Sequence, residues 1–226
     1  MLRARASRRE DPEGLQSPDI GQTPDVAIDP EQEAALAESV GRALLVVLNR
    51  LAPVERIAFV LHDMFAVPFD EIARIVARST ITTKKLASRA RRKVRGTPAI
   101  HGTELARHRR VIERFLAASR AGDIAAILML LAPDVVRRAD ATALAPGRPR
   151  EVRGARTVAE EIAVFGQHAR FAQVALVNGA VGVVVAPRGR LRSALIITIE
   201  RDIISSYEIV SDPHRLRSLS LAVLEE

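Results

Sequence analysis

The apolar residues of this chain change their period near residue 97, and no single layer of secondary structure can serve both patterns. In the first part they recur at helical spacing. Leu36, Val40, Leu44, Val47 and Leu51 follow one another at steps of four, four, three and four, which predicts an amphipathic helix begun by Asp29 as N-cap and Pro30 at N1. Pro53 opens a second helix carrying Ile57, Val60, Leu61 and Met64. A third, over 69–77, is predicted to bury Ile72, Ala73 and Val76, with Asp70 and Glu71 in its first turn. Ser79 then caps a fourth helix from Thr80 to Arg95, stopped by Gly96. The tight join between the third and fourth predicts a helix-turn-helix.

Past Gly96-Thr97-Pro98 the pattern becomes mixed. A helix over 101–121 has Leu105, Val111, Ile112, Phe115 and Leu116 on its apolar side, and Gly122-Asp123 breaks it before a short helix over 124–131. A strand at 135–139, a Pro/Gly-rich loop at 145–149 and a helix at 157–167 follow. Four β-rich runs come next, 171–177, 181–186, 190–199 and 203–210, with Asn178-Gly179 as a hairpin turn. Asp212-Pro213 starts a last helix, over 212–221. The expected fold class is multi-domain: an all-α helix-turn-helix unit, then an α+β unit with a curved antiparallel sheet. The expected bounds are 1–30 for a linker with Pro12, Pro18, Pro24 and Pro30, 31–97 for the helical unit and 98–226 for the α+β unit.

Composition narrows the function classes. The chain of 226 residues has no Cys, which excludes disulfides, thiol catalysis and Cys-ligated zinc. No apolar run approaches the roughly 18–20 residues of a membrane span. The basic start, Met1 to Arg5, has no apolar segment behind it, so neither a membrane partner nor a secretory signal is expected and the cytoplasm is the default compartment. A formal net charge of +7 and a pI near 10.9 favour a polyanionic partner.

That charge is concentrated. Arg78, Lys84, Lys85, Arg89, Arg91, Arg92, Lys93 and Arg95 place eight cations in 18 residues with no acidic residue among them. A solvated helix face ordinarily mixes signs, whereas this one does not. With Leu86, Ala90 and Val94 turned inward, the cations face outward on the second helix of the helix-turn-helix, the one that enters a DNA major groove. Thr80, Thr82, Thr83 and Lys84, near the helix N-terminus, are expected to contact phosphates and base edges. Lys85 and Arg89 continue along the groove. Arg91, Arg92, Lys93 and Arg95 are expected on phosphates or an acidic protein surface. Ser79 is first a cap, and Arg78 and Ser79 complete the candidate DNA-binding set.

Three stretches carry a resemblance: Leu51-Ala-Pro-Val-Glu-Arg-Ile-Ala-Phe-Val-Leu-His-Asp-Met-Phe, Pro68-Phe-Asp-Glu-Ile-Ala and Leu86-Ala-Ser-Arg-Ala-Arg-Arg-Lys-Val-Arg. In order and spacing, residues 34–96 resemble region 4 of the extracytoplasmic-function (ECF) sigma factors. The resemblance implies binding to the promoter −35 element through residues 79–89 and to the RNA polymerase flap through the first helices. Residues 105–220 look like the SnoaL-like domain, a cone-shaped α+β fold, that one branch of that family carries after region 4. The matching words are His108-Arg-Arg-Val-Ile-Glu-Arg-Phe-Leu-Ala-Ala, Leu131-Ala-Pro-Asp-Val-Val, Val177-Asn-Gly-Ala and Asp212-Pro-His-Arg-Leu.

The chain also departs from that pattern. Region 2, which in the family opens the −10 element, is not found, and Met1 to Glu10 resembles its tail; the chain is therefore not expected to initiate transcription alone. The family's Trp-Leu-Pro-Glu-Pro linker is absent. Its Asp-Gly-Gly-Gly-Lys motif, tied with that linker to regulation by the C-terminal domain, is replaced by Asp140-Ala-Thr-Ala-Leu.

Such cones often enclose a small-molecule cavity, so a ligand of unspecified type is one expected partner. The candidates for acid-base work are Asp134, Asp140, His168 and Tyr207. Each has a structural reading: turn chemistry after Pro133, a strand end, a helix C-terminus, and a half-buried strand residue with its hydroxyl in solvent. No pair has a spacing that enforces a catalytic geometry, so no catalysis and no cofactor is expected. His62 and His101 have no partner at metal-ligand spacing. The alternative reading is a small-molecule-binding or cyclase-like protein whose region 4 is a remnant.

Overall fold

The computed structural model describes residues 41–224, apart from the side chains of 165–168. The expected linker and the helix start at Asp29-Pro30 lie outside the described residues.

The helical unit contains α1, described over residues 41–48, α2 (Pro53–Phe59), α3 (Phe69–Ile75) and α4 (Thr80–Arg95). Pro53 sits at the start of α2, where its missing N–H costs nothing. A π-helical turn, Val60–Met64, extends α2. It is closed by Val67 N–H donating to the Leu61 carbonyl, with Ala66 at a φ of 54°. Ala58, Ile72 and Ala87, all 0% exposed, form the centre where α2, α3 and α4 meet. Two of the three are alanines, so the helix axes approach closely.

The α+β unit begins with α5 (Gly102–Ala121), ended by Gly122 at a φ of 66°, and α6 (Ile124–Leu128), which Asp123 caps. Strands β1 (Leu131–Ala139) and β2 (Glu151–Arg153) precede α7 (Ala155–Phe165). The meander β3 (Ala172–Val177), β4 (Ala180–Val185), β5 (Ser193–Glu200) and β6 (Ile203–Val210) leads to α8 (Pro213–Ser218) and β7 (Leu221–Ala222). The sheet order is β2-β1-β6-β5-β4-β3-β7. Asn178 and Gly179, at φ of 54° and 82°, make the β3–β4 turn, whose two positive φ values match the twist of the flanking strands.

The sheet is antiparallel as expected except at one pair. β1 runs parallel to β6, with Arg137 opposite Tyr207, while the other pairs are antiparallel. A pairing between segments so far apart is joined by no tight turn and leaves no turn signal to read. The short strands β2 and β7 were not expected either. Leu131 belongs to β1, so α6 ends earlier than the apolar run suggests. Likewise α8 stops at Ser218 because Leu221 and Ala222 pair with Val177 and Leu176.

The two units share buried surface. Val46, Val47, Leu51, Ala90 and Val94 of the helical unit form one cluster with Val177, Val184, Ala194, Val210, Leu216 and Leu221 of the cone. Arg50 donates to the carbonyls of Leu216 and Leu219, Asn49 donates to the Gly189 carbonyl at 3.3 Å, and Val223 N–H donates to the Val94 carbonyl at 2.8 Å. The C-terminal half of α4 is thereby anchored on β7 and its N-terminal half stands clear. Among the described residues no helix is long and apolar enough to cross a membrane.

Candidate nucleic-acid interface

The turn between α3 and α4 is made by Ala77, at a φ of 50°, followed by Arg78 and Ser79. Ser79 caps α4: its Oγ accepts from Thr82 N–H at 3.2 Å and lies 2.9 Å from Thr82 Oγ1. Both hydroxyls are thus committed to the helix start. The Arg78 guanidinium, exposed, donates to the carbonyl of Ala77.

Thr83 is corrected by its burial. It is 0% exposed and its Oγ1 donates to the Ser79 carbonyl at 3.0 Å, so it offers no surface to a nucleic acid. The inward stripe of α4 is Thr83, Ala87, Ala90 and Val94 rather than one containing Leu86, which is only half-buried. Close approach of α4 to Ala58 and Ile72 favours small side chains on the contact line and leaves Leu86 at its edge.

Outside that stripe, Lys84, Lys85, Arg89 and Arg92 are exposed and Thr80 is half-buried. With Ile81, 69% exposed, they cover the outer face of α4. The sequence reading did not single out Ile81, whose exposure follows from the packing line of α4. Lys84 Nζ lies 6.0 Å from the Phe69 ring centroid, which links it to α3.

The other cations of α4 differ. Arg91 is paired with Asp63, and Lys93 Nζ with the buried Glu55 carboxylate at 2.6 Å. Glu55 also accepts from Ala52 N–H at 3.4 Å. Arg91 and Lys93 therefore tie α4 to α2, a correction to the phosphate or protein contacts expected of them. Arg95 also has a partner within the chain. The basic face left for an outside partner is Arg78, Lys84, Lys85, Arg89 and Arg92. Where it meets the cone, a cleft of about 850 Å³ is bordered by Arg50, Arg89, Arg92, Asn178 and Ser220.

The remaining candidates sit elsewhere. His62 Nδ1 lies 3.0 Å from the Val67 carbonyl and its ring stacks on Phe69 at 3.7 Å. His101 is the exposed N-cap residue of α5, and Asp134 is exposed on β1. The side chain of His168 lies outside the described residues. Tyr207 corrects its expected exposure: it is 5% exposed and its ring packs 6.2 Å from that of Phe115, because β6 turns this position toward the helices. The sequence reading also missed Arg137, 3% exposed, which forms a two-pronged pair with Glu161. Its signal was its phase, since Val135, Arg137 and Ala139 alternate on the buried side of β1. Among the described residues no three His, Asp or Glu side chains stand together as a metal site.

Asp140 joins β1 to α8. It accepts from Ala143 N–H at 3.0 Å and from the N–H groups of Ser211 and Asp212 at 2.8 Å each. Burial pushes its pKa up, but the three backbone donors and Arg215 outweigh this and hold it below the ordinary carboxylate value. A depressed folded-state pKa adds stability that is fully present above the unfolded value, near 4, and is lost as pH falls through the folded one. Asp140→Asn is expected to cost about 2 kcal/mol at pH 7 and clearly less at pH 3, measured by urea unfolding.

A helix-turn-helix whose second helix presents an acid-free basic face is here docked on an α+β cone, a helix-turn-helix module joined to a second folded unit. Residues 41–94 match the family model described as Sigma-70, region 4. The chain is 40% identical over 195 residues to the ECF RNA polymerase sigma factor SigJ of Mycobacterium tuberculosis, covering 82% of this chain and 61% of that protein. It is 35% identical over 140 residues to the probable ECF RNA polymerase sigma factor SigI of the same species, covering 62% of this chain and 48% of that protein. The crystal structure of M. tuberculosis SigJ matches with a TM-score of 0.42 and 33% identity, over 75% of this chain and 62% of that one. A SnoaL-like protein of unknown function from Burkholderia thailandensis matches with a TM-score of 0.36 and 16% identity, over 46% of this chain and 93% of that one. The chain is thus similar to ECF RNA polymerase sigma factors, and the part that matches Sigma-70 region 4 is its helical unit. It spans less than two thirds of the curated relatives it matches.

Proposed function

We propose that this chain acts in transcription as a sigma-factor-type protein that binds −35 promoter DNA through α4 and the RNA polymerase flap through the helical unit. The cone is its regulatory module, and no catalytic step is assigned to it. The observation that carries this reading is the outward, acid-free face of Arg78, Lys84, Lys85, Arg89 and Arg92 on the second helix of a helix-turn-helix.

On this reading Lys85 and Arg89 reach base edges, while Arg78 and Arg92 flank them at phosphates. Ile81 adds an apolar side chain suited to a thymine methyl. Arg89→Ala is expected to weaken binding to a −35 duplex by about 1–3 kcal/mol and to leave a scrambled duplex much less affected. Arg92→Ala is expected to weaken both duplexes alike and to reduce the slope of log K against log salt by about 1. Fluorescence anisotropy titrations at several salt concentrations measure both. Unchanged binding for both variants would remove α4 from the interface.

A further inference from the structure

The cone holds an open pocket of about 880 Å³ that is separate from the α4 face. Its walls are largely apolar, including Phe115, Leu116, Ile162, Val183, Leu195 and Ile209, and among the described residues no Asp or Glu lines it. Three uncharged polar side chains line it. Ser119 Oγ donates to the Phe115 carbonyl, and Ser193 Oγ is bonded to Ser211 Oγ. The third is Tyr207, more than nine-tenths buried, whose hydroxyl has no hydrogen-bond partner among the described residues. The hydroxyl is therefore open to the pocket, where it can hydrogen-bond a polar atom of a ligand. Burial pushes the Tyr207 phenol above its ordinary pKa, so near pH 7 it is a neutral donor.

The mouth has the opposite character. Arg188, Arg190 and Arg192, all exposed, border it and make no ion pair with any described residue. Arg188 stands at a φ of 54° in the β4–β5 turn, and Asn49 of the helical unit holds that turn through the Gly189 carbonyl. Three like charges at the rim of an apolar cavity favour an anion there. The apolar depth excludes a polyphosphate chain, and a neutral apolar molecule would leave the arginines unused.

We propose that the cone binds an elongated apolar carboxylic acid, its carboxylate at Arg188, Arg190 and Arg192 and a hydroxyl or keto oxygen near its far end on the Tyr207 hydroxyl. The site is independent of DNA reading by α4.

Tyr207 is the single tyrosine of a chain without tryptophan, so its fluorescence reports on the cavity. The probe is 12-hydroxydodecanoate, added to the full chain at pH 7 below its micelle concentration, with dodecanoate and 1,12-dodecanediol as comparisons. The expected result is a saturable change in Tyr207 emission, with calorimetry giving the affinity. Tyr207→Phe is expected to weaken the hydroxy acid about tenfold and dodecanoate less than about twofold. The exposed triple variant Arg188→Gln, Arg190→Gln, Arg192→Gln is expected to weaken both acids about tenfold and to leave the diol unchanged. Absence of a saturable signal overturns the proposal. Equal affinity of the triple variant for the acids overturns the anion seat, and equal loss of both acids in Tyr207→Phe overturns the deep hydrogen bond.

Discussion

Glu161→Ala is expected to destabilise the protein by about 3–5 kcal/mol, because it strands a guanidinium inside the cone. Arg137 is 3% exposed, and Glu161 accepts from its Nε at 3.1 Å and from its Nη2 at 2.7 Å. Without the carboxylate only the Pro149 carbonyl, 2.9 Å from Nη1, remains to the guanidinium among these contacts. The double variant Arg137→Met, Glu161→Leu is expected to recover most of the loss, since two apolar side chains of similar volume remove both charges from the interior. Urea unfolding of the two single variants and the double variant measures the cycle. A loss below about 1 kcal/mol for Glu161→Ala would mean that water reaches Arg137.

Gly96→Ala is expected to cost about 2–4 kcal/mol, from two causes that can be separated. A methyl at this position would sit 2.4 Å from the Ala222 Cβ, far inside contact distance. The residue also holds a φ of 64°, which a side chain disfavours. Both act where α4 ends and β7 begins to cover it, so the strain falls on the surface that docks the helical unit on the cone. The accompanying fall in Tm is expected to be about 4–15 °C, read by differential scanning calorimetry. Adding Ala222→Gly is expected to relieve the clash and leave about 1–2 kcal/mol from the backbone. If it relieves nothing, the backbone conformation accounts for the whole loss.

Much of the helical unit was legible because its signals are local. Ser79 and Gly96 mark the ends of α4 through their own hydrogen bonding and φ, within a turn of the residues they bound. The Asn178-Gly179 turn and the capping of α8 by Asp212 are read in the same way. The eight cations on 78–95 were equally plain. Their division was not. Lys84 and Lys85 face outward and Thr83 inward because the packing line of α4 follows Ala58 and Ile72, and helical period alone leaves that phase open by about one residue.

The sequence by itself determined the order and most of the limits of the elements, and it placed a basic helix behind a short partner helix. Only the tertiary structure decided which cations are free, which way Tyr207 faces and how β1 joins the sheet. Caps, turns and periodicity act over a few residues, where neighbours in sequence are neighbours in space. Burial and ion pairing instead depend on partners brought together by the whole fold: Asp63 for Arg91, Glu55 for Lys93, Glu161 for Arg137 and β6 for β1.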